Sequence, residues 1–221
     1  MKLYVLLQAG KENGNMIYEK YVKRGCDVLL SSAGIVILSP VLLGLAFWIK
    51  ADSPGPVLFR QRRCGQGDTY FDILKFRTMR TDTPKDLPTH LLSNPEQYIT
   101  RSGKFLRKTS LDELPQLFNI LKGEMSVIGP RPALWNQDDL MALRRANGSA
   151  RLKPGLSGWA QIHGRDELEL ETKAALDGYY ADHAGFSMDL KCLFLTVFSV
   201  LRQDGVHEGG PDHQAVQETE Q

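Results

Sequence analysis

The longest uncharged run of the chain constrains its fold more than any other feature. From Val28 to Ile49, 22 residues carry no charge. At about 1.5 Å per residue, a straight helix of that length is about 33 Å long, which is enough to cross a bilayer. Ser39 and Pro40 lie near the middle of the run. Such a segment either spans a membrane or enters it and returns.

Residues inside and around the run bear on that choice. Pro40 removes a helical hydrogen bond to the carbonyl of Val36 and favours a kink, and Ser39 can satisfy the freed backbone group. Basic residues lie near both ends, so the charge bias does not assign one end to each side of a membrane. A kinked spanning helix and a re-entrant helix with a Ser-Pro break both stay open. The basic residues are Lys20, Lys23 and Arg24 before the run and Lys50, Arg60, Arg62 and Arg63 after it.

Charge and cysteine content exclude several classes of protein. The 221 residues carry a net charge of +1, so no overall imbalance points to nucleic acid. Basic clusters at 60–80 and 101–108 suit phosphate groups or anionic lipid heads. The three cysteines are scattered and lack CxxC spacing. This pattern argues against a disulfide framework or a zinc site and fits a reducing cytoplasm.

The remaining pattern predicts a mixed α/β body, with helices around a small sheet. Residues 1–15 are interpreted as a flexible extension, 16–50 as the membrane helix, 51–205 as the main folded domain and 206–221 as a disordered tail. "VLFRQ" and "YFDILKF" predict two strands joined by a turn, and "MSVIGPRPA" predicts a buried strand. Two short helices are predicted within 99–123, further helices over "WNQDDLMALRRAN", "LETKAALDGYYADH" and "SMDLKCLFLTVFSVLRQDG", loop and strand over "RLKPGLSGWAQIHGRDELE", and a mobile loop over 81–98.

The stretch "TSLDELPQLFN" holds the first candidate for chemistry. Ser110 and Glu113 match the S-x-x-E capping box, and Asp112 would complement the positive end of a helix. On local sequence alone, this structural interpretation is favoured over catalysis. Pro115 leaves open a helix that starts later, with both carboxylates just ahead of it. A carboxylate at that position, among cations and helped by a divalent ion, is a candidate nucleophile toward phosphorus.

Three further motifs carry candidate phosphate ligands. In "KFRTM", Lys75 and Arg77 share one side of a strand, and by itself this is better explained as a solvated strand face. In "GPRP", two prolines either hold Arg131 in advance for a phosphate or form a simple turn. "LKPGLSGWAQIHGRD" places Gln161 and Arg165 in one Gly-rich segment. "LDGYY" predicts a packing helix face with Asp177 as a salt-bridge partner.

The order of these motifs is more specific than any one of them. A basic-flanked apolar helix with a central Ser-Pro is followed by "KFRTM", "TSLDELPQLFNILKGEMSVIGPRP", "LKPGLSGWAQIHGRD", "LDGYY" and "MDLKCLFLTVFSVL". This combination resembles the bacterial sugar transferase family, the monotopic phosphoglycosyl transferases. The resemblance runs from about Met16 to Gly205. It looks like the small form of the family, a catalytic unit alone.

The resemblance implies a function and a site. Such enzymes move a sugar 1-phosphate from a UDP-sugar to undecaprenyl phosphate, release UMP and need Mg²⁺. Asp112 maps to the nucleophile that forms a covalent phosphosugar intermediate, and Glu113 maps to its neighbour, which holds the metal with Asp112 or assists a proton transfer. The residues expected to bind the diphosphate, the nucleotide or the lipid phosphate are Lys75, Arg77, Arg107, Arg131, Gln161 and Arg165.

The resemblance also implies a location on the cytoplasmic face of the bacterial inner membrane, with a re-entrant anchor that breaks at Ser39 and Pro40. The helix from Met188 to Leu201 is expected either at the membrane interface or in the core. The sugar, the glycan pathway and a homodimer stay open. Two other functions also stay open: a non-catalytic membrane scaffold of the same fold, and a UDP-sugar hydrolase that uses the same aspartyl intermediate.

Overall fold

The computed structural model describes residues 17–83, 95–164 and 168–202. Within these ranges, helices surround two small two-stranded sheets, which is the mixed fold class that the sequence predicts. The predicted extension and tail, and residues 84–94 of the predicted loop, lie outside them. The helices are α1 (Arg24–Asp52), α2 (Arg101–Lys108), α3 (Gln116–Lys122), α4 (Asp138–Ala146), α5 (Trp159–Ile162), α6 (Leu170–His183) and α7 (Phe186–Arg202). The strands are β1 (Leu58–Cys64), β2 (Tyr70–Phe76), β3 (Ser126–Ile128) and β4 (Gly155–Ser157).

Helix α1 contains the apolar run and continues through Pro40 without an interruption. Together with the π-helical turn before it, α1 is long and apolar enough to cross a membrane. Pro40 has no amide hydrogen to donate to the Val36 carbonyl. The Ser39 hydroxyl donates to that carbonyl at 2.8 Å, so the lost bond is replaced. The structure thus does not show the predicted Ser-Pro break, and the re-entrant path stays a prediction.

The beginning of α1 is fixed to the body of the protein by polar contacts. The Arg24 guanidinium donates to the carbonyls of Ile120 and Leu121 at 2.7 and 2.8 Å, and thereby caps the last turn of α3. The buried Asp27 carboxylate accepts from the Ser126 hydroxyl at 3.0 Å and the Val127 amide at 2.8 Å. These contacts join the start of the apolar helix to β3.

The end of α1 contacts the same body. Leu45 and Ile49 pack with Phe76 and Leu106 in one buried cluster, and the Asp52 carboxylate accepts from the amide and hydroxyl of Ser102 at 2.9 and 2.8 Å. Between the two ends, large apolar side chains face outward, and Val36 and Ile37 are 72% and 73% exposed. Both ends of the apolar helix therefore contact one folded body, and its middle exposes apolar side chains.

The first sheet is the predicted hairpin. Strands β1 and β2 pair antiparallel, with Leu58 opposite Phe76 and Cys64 opposite Tyr70. The apolar residues of "YFDILKF" alternate with polar ones, which buries Phe71 and Ile73 on one face. This face packs against Ile120 and Met125, so the hairpin lies against the end of α3.

The second sheet requires three glycines where two segments approach closely. Strands β3 and β4 pair in parallel, and Gly129, just after β3, lies directly against Gly155 and Gly158. A Cβ atom on Gly155 or Gly158 would overlap backbone atoms of Gly129. The expectation of loop and strand around "GLSGWAQI" is correct for β4 and wrong for the next residues, which form the short helix α5.

Helices α4 and α6 pack together through a buried ion pair. Arg144 is 4% exposed and Asp177 is 1% exposed, and the Arg144 Nη2 atom lies 2.6 Å from Asp177 Oδ2. The predicted role of Asp177 as a salt-bridge partner is confirmed. Helix α7 buries Met188 and Cys192. It exposes seven large apolar side chains: Phe186, Leu190, Leu193, Phe194, Leu195, Val197 and Phe198. Within the described part of the chain, it is therefore not a fully covered core helix.

Replacing Gly103 by alanine should lower the melting temperature of the detergent-solubilised protein. The new methyl group would overlap the carbonyl oxygen of Thr78 and push α2 away from the end of β2. Overpacking of this kind costs about 1–3 kcal/mol. The matched control is Gly44→Ala, where no atom lies within 4 Å of the new Cβ. An unchanged melting temperature for Gly103→Ala would contradict the close contact between α2 and Thr78.

Candidate active site

Asp112 and Glu113, the acidic pair, lie in a 3₁₀ turn between α2 and α3. This turn, Leu111–Glu113, is called the acidic turn below. Ser110 adopts a left-handed conformation (φ 55°, ψ 17°) and its side chain makes no capping hydrogen bond. The capping-box interpretation of "SLDE" is therefore wrong. The reason is Pro115, which directly precedes α3, so that the helix starts after the acidic pair. The structure confirms the alternative, in which both carboxylates lie just ahead of the helix.

Glu113 joins two other parts of the chain. The Lys75 ammonium, at the end of β2, lies 2.8 Å from Glu113 Oε1. The Arg131 guanidinium lies 3.6 Å from the same oxygen. These side chains are partly buried, with exposed fractions between 18% and 35%, so solvent only partly screens the pairs. One carboxylate oxygen thus joins β2, the acidic turn and the Pro-Arg-Pro corner (residues 130–132).

Asp112 is half-buried and surrounded by charge. Burial raises the pKa of the Asp112 carboxyl, and the negative charge of Glu113 raises it further. Lys75, Arg107 and Arg131 oppose that rise in pKa with their positive charges, and Lys75 has the largest effect of the three. Three cations from three elements therefore act on one poorly solvated carboxyl. Such an environment attracts an anionic phosphate toward a nucleophilic oxygen.

Arg107 reaches the site from α2. Its Nε atom donates to the hydroxyl of Thr78 at 3.0 Å, and Thr78 is buried just after β2. The close contact at Gly103 brings α2 near enough for this bond. Thr78 was not singled out from the sequence, and nothing local distinguishes it from the other threonines around it.

Arg131 is held through its backbone. Its carbonyl oxygen accepts from Arg144 Nη2 at 3.0 Å, and the prolines on both sides are buried. Sequence reasoning missed Arg144. Its spacing from Leu140 and Met141, both buried on α4, is the signal that could have placed it on the inner face of that helix.

Gln161 lies on α5, beside the crossing of Gly129 and Gly158. It is 8% exposed, and neither polar atom of its side-chain amide has a hydrogen-bond partner within the described residues. Buried polar atoms without partners are uncommon in folded proteins. The Gln161 amide is thus buried and unpaired within the described residues, and its binding role stays a prediction.

One predicted ligand, Arg77, has its hydrogen-bond partners away from the acidic turn. The Arg77 guanidinium donates to the Ser53 carbonyl at 2.7 Å, to the Ser53 hydroxyl at 2.9 Å and to the Pro54 carbonyl. It is buried at the end of α1, where it holds the turn that leads into β1. Arg165 lies outside the described residues. The structure thus collects Lys75, Arg107 and Arg131 around Asp112 and Glu113.

Comparisons with known proteins point to one family. The family model described as "Bacterial sugar transferase" matches residues 18–203. An uncharacterized sugar transferase of Bacillus subtilis is 39% identical over 180 residues, which cover 81% of this chain and 85% of the relative. A UDP-glucose:undecaprenyl-phosphate glucose-1-phosphate transferase of Escherichia coli is 38% identical over 186 residues. An Aeromonas hydrophila protein named as a UDP-N-acetylgalactosamine-undecaprenyl-phosphate N-acetylgalactosaminephosphotransferase is also 38% identical over 186 residues.

These relatives differ in length and in the sugar that their names give. The matched region covers 81% of this chain and 40% of the Escherichia coli protein, and 82% of this chain and 44% of the Aeromonas hydrophila protein. The chain thus spans less than half the length of both. The two proteins are equally similar to this chain but are named for glucose and for N-acetylgalactosamine. Overall identity therefore does not select a sugar.

Arg77→Met should lower the melting temperature and leave nucleoside diphosphate binding unchanged. The substitution removes charged hydrogen bonds to two backbone carbonyls, each worth about 1.5–3 kcal/mol. Arg80→Met is the matched control, because Arg80 is exposed and pairs with the exposed Asp82. Calorimetric titration with UDP measures the binding. An unchanged melting temperature together with lost UDP binding would instead support the ligand role predicted from the sequence.

Proposed function

Because the chain belongs to the bacterial sugar transferase family, we propose that it transfers a sugar 1-phosphate from a UDP-sugar to undecaprenyl phosphate and releases UMP. In the cell this would be the first membrane step in assembling a glycan. The observation that carries the proposal is the acidic turn, where three cations act on Asp112. The names of the relatives support undecaprenyl phosphate as the acceptor and a sugar phosphate as the transferred group.

The proposed reaction has two displacements at one phosphorus atom. An Asp112 carboxylate oxygen attacks the phosphorus that bears the sugar and forms an acyl phosphate bond, while the bond to the bridging oxygen breaks and UMP leaves. A phosphate oxygen of undecaprenyl phosphate then attacks the same phosphorus and releases the Asp112 carboxylate. The acceptor is already anionic, so no strong general base is needed. A half-buried carboxylate suits the first step, because weak solvation leaves its oxygen more reactive.

The cations around the turn have a clear electrostatic task in this reaction. The diphosphate, the transferred phosphoryl group and the lipid phosphate are all anions that must approach a carboxylate. Lys75 and Arg131 already contact Glu113, and Arg107 is fixed at Thr78. Donors that are held in place before the substrate binds stabilise developing negative charge without reorganisation. Gln161 is proposed as an additional ligand through its unpartnered amide.

Asp112 and Glu113 together fit a Mg²⁺ ion that is completed by substrate. No group of three or more His, Cys, Asp or Glu side chains forms a metal site among the described residues. Mg²⁺ usually takes one or two carboxylates and keeps waters and substrate phosphates as its other ligands, so two adjacent carboxylates suffice. When bound, the ion would screen the charge between carboxylate and diphosphate. Glu113 would then exchange part of its contact with Lys75 for the metal.

We further propose that both ends of α1 lie on the cytoplasmic face of the inner membrane. The contacts of Arg24 and Asp27 at one end, and of Ile49 and Asp52 at the other, support this path. A spanning helix would carry one end about 30 Å away from the body that it contacts. The exposed apolar middle of α1 would enter the bilayer, and the exposed apolar side chains of α7 would lie at the interface.

Asp112→Asn should abolish UMP release while the protein stays folded and membrane-bound, because an amide is a far weaker nucleophile than a carboxylate. The assay combines a panel of UDP-sugars with undecaprenyl phosphate and Mg²⁺ in detergent. Asp72→Asn is the matched control, since Asp72 is exposed on β2 and should keep full activity. Full activity of Asp112→Asn would remove the nucleophile assignment. For the wild type, UMP release at an equal rate without lipid would indicate a hydrolase, and no release with any donor would leave a scaffold.

A tag at the N-terminus should be found on the same side of the membrane as the catalytic domain. The physical reason is that both ends of α1 contact one body. Antibody or protease access is compared between intact spheroplasts and inverted vesicles, with a second tag at the C-terminus as the internal reference. Both tags should be accessible only in inverted vesicles. An N-terminal tag exposed on spheroplasts would contradict the re-entrant path.

A further inference from the structure

The buried guanidinium of Arg144 has two different partners. Its Nε and Nη2 atoms donate to Asp177 Oδ2 at 2.9 and 2.6 Å. Its Nη2 atom also donates to the backbone carbonyl of Arg131 at 3.0 Å. The side chain therefore connects the α4–α6 helix pair to the Pro-Arg-Pro corner, the segment 130–132.

A second contact of α6, one helical turn further on, reaches the chain just before the Pro-Arg-Pro corner. Tyr180 lies three residues after Asp177 on α6, so both side chains lie on the same face of the helix. The Tyr180 hydroxyl lies 3.5 Å from the carbonyl of Ile128. Helix α6 thus contacts the chain at the end of β3 through Tyr180 and at Arg131 through the Arg144–Asp177 pair. The motif "LDGYY" therefore contacts the chain just before the corner and, through Arg144, at Arg131.

The orientation of Arg131 matters because its guanidinium lies beside the two carboxylates of the acidic turn. Arg131 lies 3.6 Å from Glu113, and its charge acts on Asp112. Pro130 and Pro132 fix their own φ angles, and Pro132 also limits the ψ angle of Arg131 to extended values. Within that extended range, the peptide unit at the Arg131 carbonyl can still rotate. The hydrogen bond from Arg144 restrains that rotation. A change in it would redirect the Arg131 side chain away from Glu113.

A stabilising role alone does not explain the pair well. Two charges that are buried this deeply lose most of their hydration, and an apolar pair of similar size is often equally stable or more stable. We infer that Arg144 and Asp177 are a positioning pair, which orients Arg131 toward the acidic turn and so acts on phosphate binding and transfer. The effect on transfer rests on the proposed function, whereas the effect on the orientation of Arg131 does not.

The first test replaces the pair by an apolar pair, Arg144→Met with Asp177→Leu, which keeps the core filled. UMP release should fall at least about tenfold in kcat/KM, while the melting temperature stays near that of the wild type. In an Arg131→Ala background, the same double substitution should add less than about a twofold loss, because it acts through a side chain that is already absent. Equal losses in both backgrounds would overturn the proposal.

Arg145→Met is the matched control. Arg145 is the next residue on α4 and pairs with Asp68 at 3.0 Å, with both side chains about half exposed. Loss of this exposed pair should change kcat/KM by less than about twofold. Conservative rescue gives a further check: Arg144→Lys keeps the charge but not the planar fork that reaches two acceptors. It should therefore retain the fold and recover only part of the activity, and full recovery would contradict the positioning role.

A second measurement does not depend on any activity. Phenylglyoxal modifies accessible guanidinium groups, and peptide mass spectrometry follows Arg131 separately from the other arginines. Arg131 should react at least about threefold faster in the apolar-pair variant, because it is released from Glu113. Its rate should not change in Arg145→Met. An unchanged modification rate of Arg131 in a folded apolar-pair variant would overturn the proposal, even if the protein transfers no sugar. A faster modification rate, together with a wild-type protein that releases no UMP, would show that the proposed function is wrong and the positioning role is right.

Discussion

Nearby cations stabilise two adjacent carboxylates in a half-buried turn, because they offset the repulsion between the two charges. Lys75 on β2 and Arg131 in the corner after β3 both form ion pairs with Glu113. The positive charge of Arg107 on α2 acts on Asp112. Each cation depends on a different piece of the fold. The hairpin places Lys75, the close contact at Gly103 brings α2 and Arg107 near Thr78, and the paired strands β3 and β4 carry the corner with Arg131. The charge balance of the turn therefore depends on almost every element of the body.

The apolar helix belongs to this arrangement rather than being a separate anchor. Arg24 caps the end of α3, the helix that follows the acidic turn. Asp27 accepts a hydrogen bond from Ser126 at the start of β3. At the other end of the apolar helix, the Asp52 carboxylate accepts a hydrogen bond from the Ser102 amide at the start of α2. The apolar helix is thus part of the scaffold that holds the candidate site. This arrangement suits the proposed reaction, in which a water-soluble donor meets an acceptor held in the bilayer.

The sequence predicted elements more reliably than it predicted contacts. Alternation in "YFDILKF" and apolar spacing in the later helices gave elements that the structure confirms, because these patterns are local. The capping box failed because Pro115 delays the helix. Arg77 was grouped with Lys75 by strand alternation, yet it binds the turn after α1, because the chain returns there from a distant part of the sequence. Arg144 was missed altogether, since its acceptors lie 13 and 33 residues away.

Local sequence was sufficient for the length and polarity of the apolar segment, the hairpin, the order of the motifs and the family resemblance. These features follow from periodicity and from residue order, which a single chain displays directly. Which partner each of these charged side chains contacts was decided by the tertiary structure. Lys75 and Glu113 are 38 positions apart, and Asp27 and Ser126 are 99 apart. Whether a charged side chain serves as a ligand, a cap or a support depends on which distant acceptor packing brings within about 3 Å.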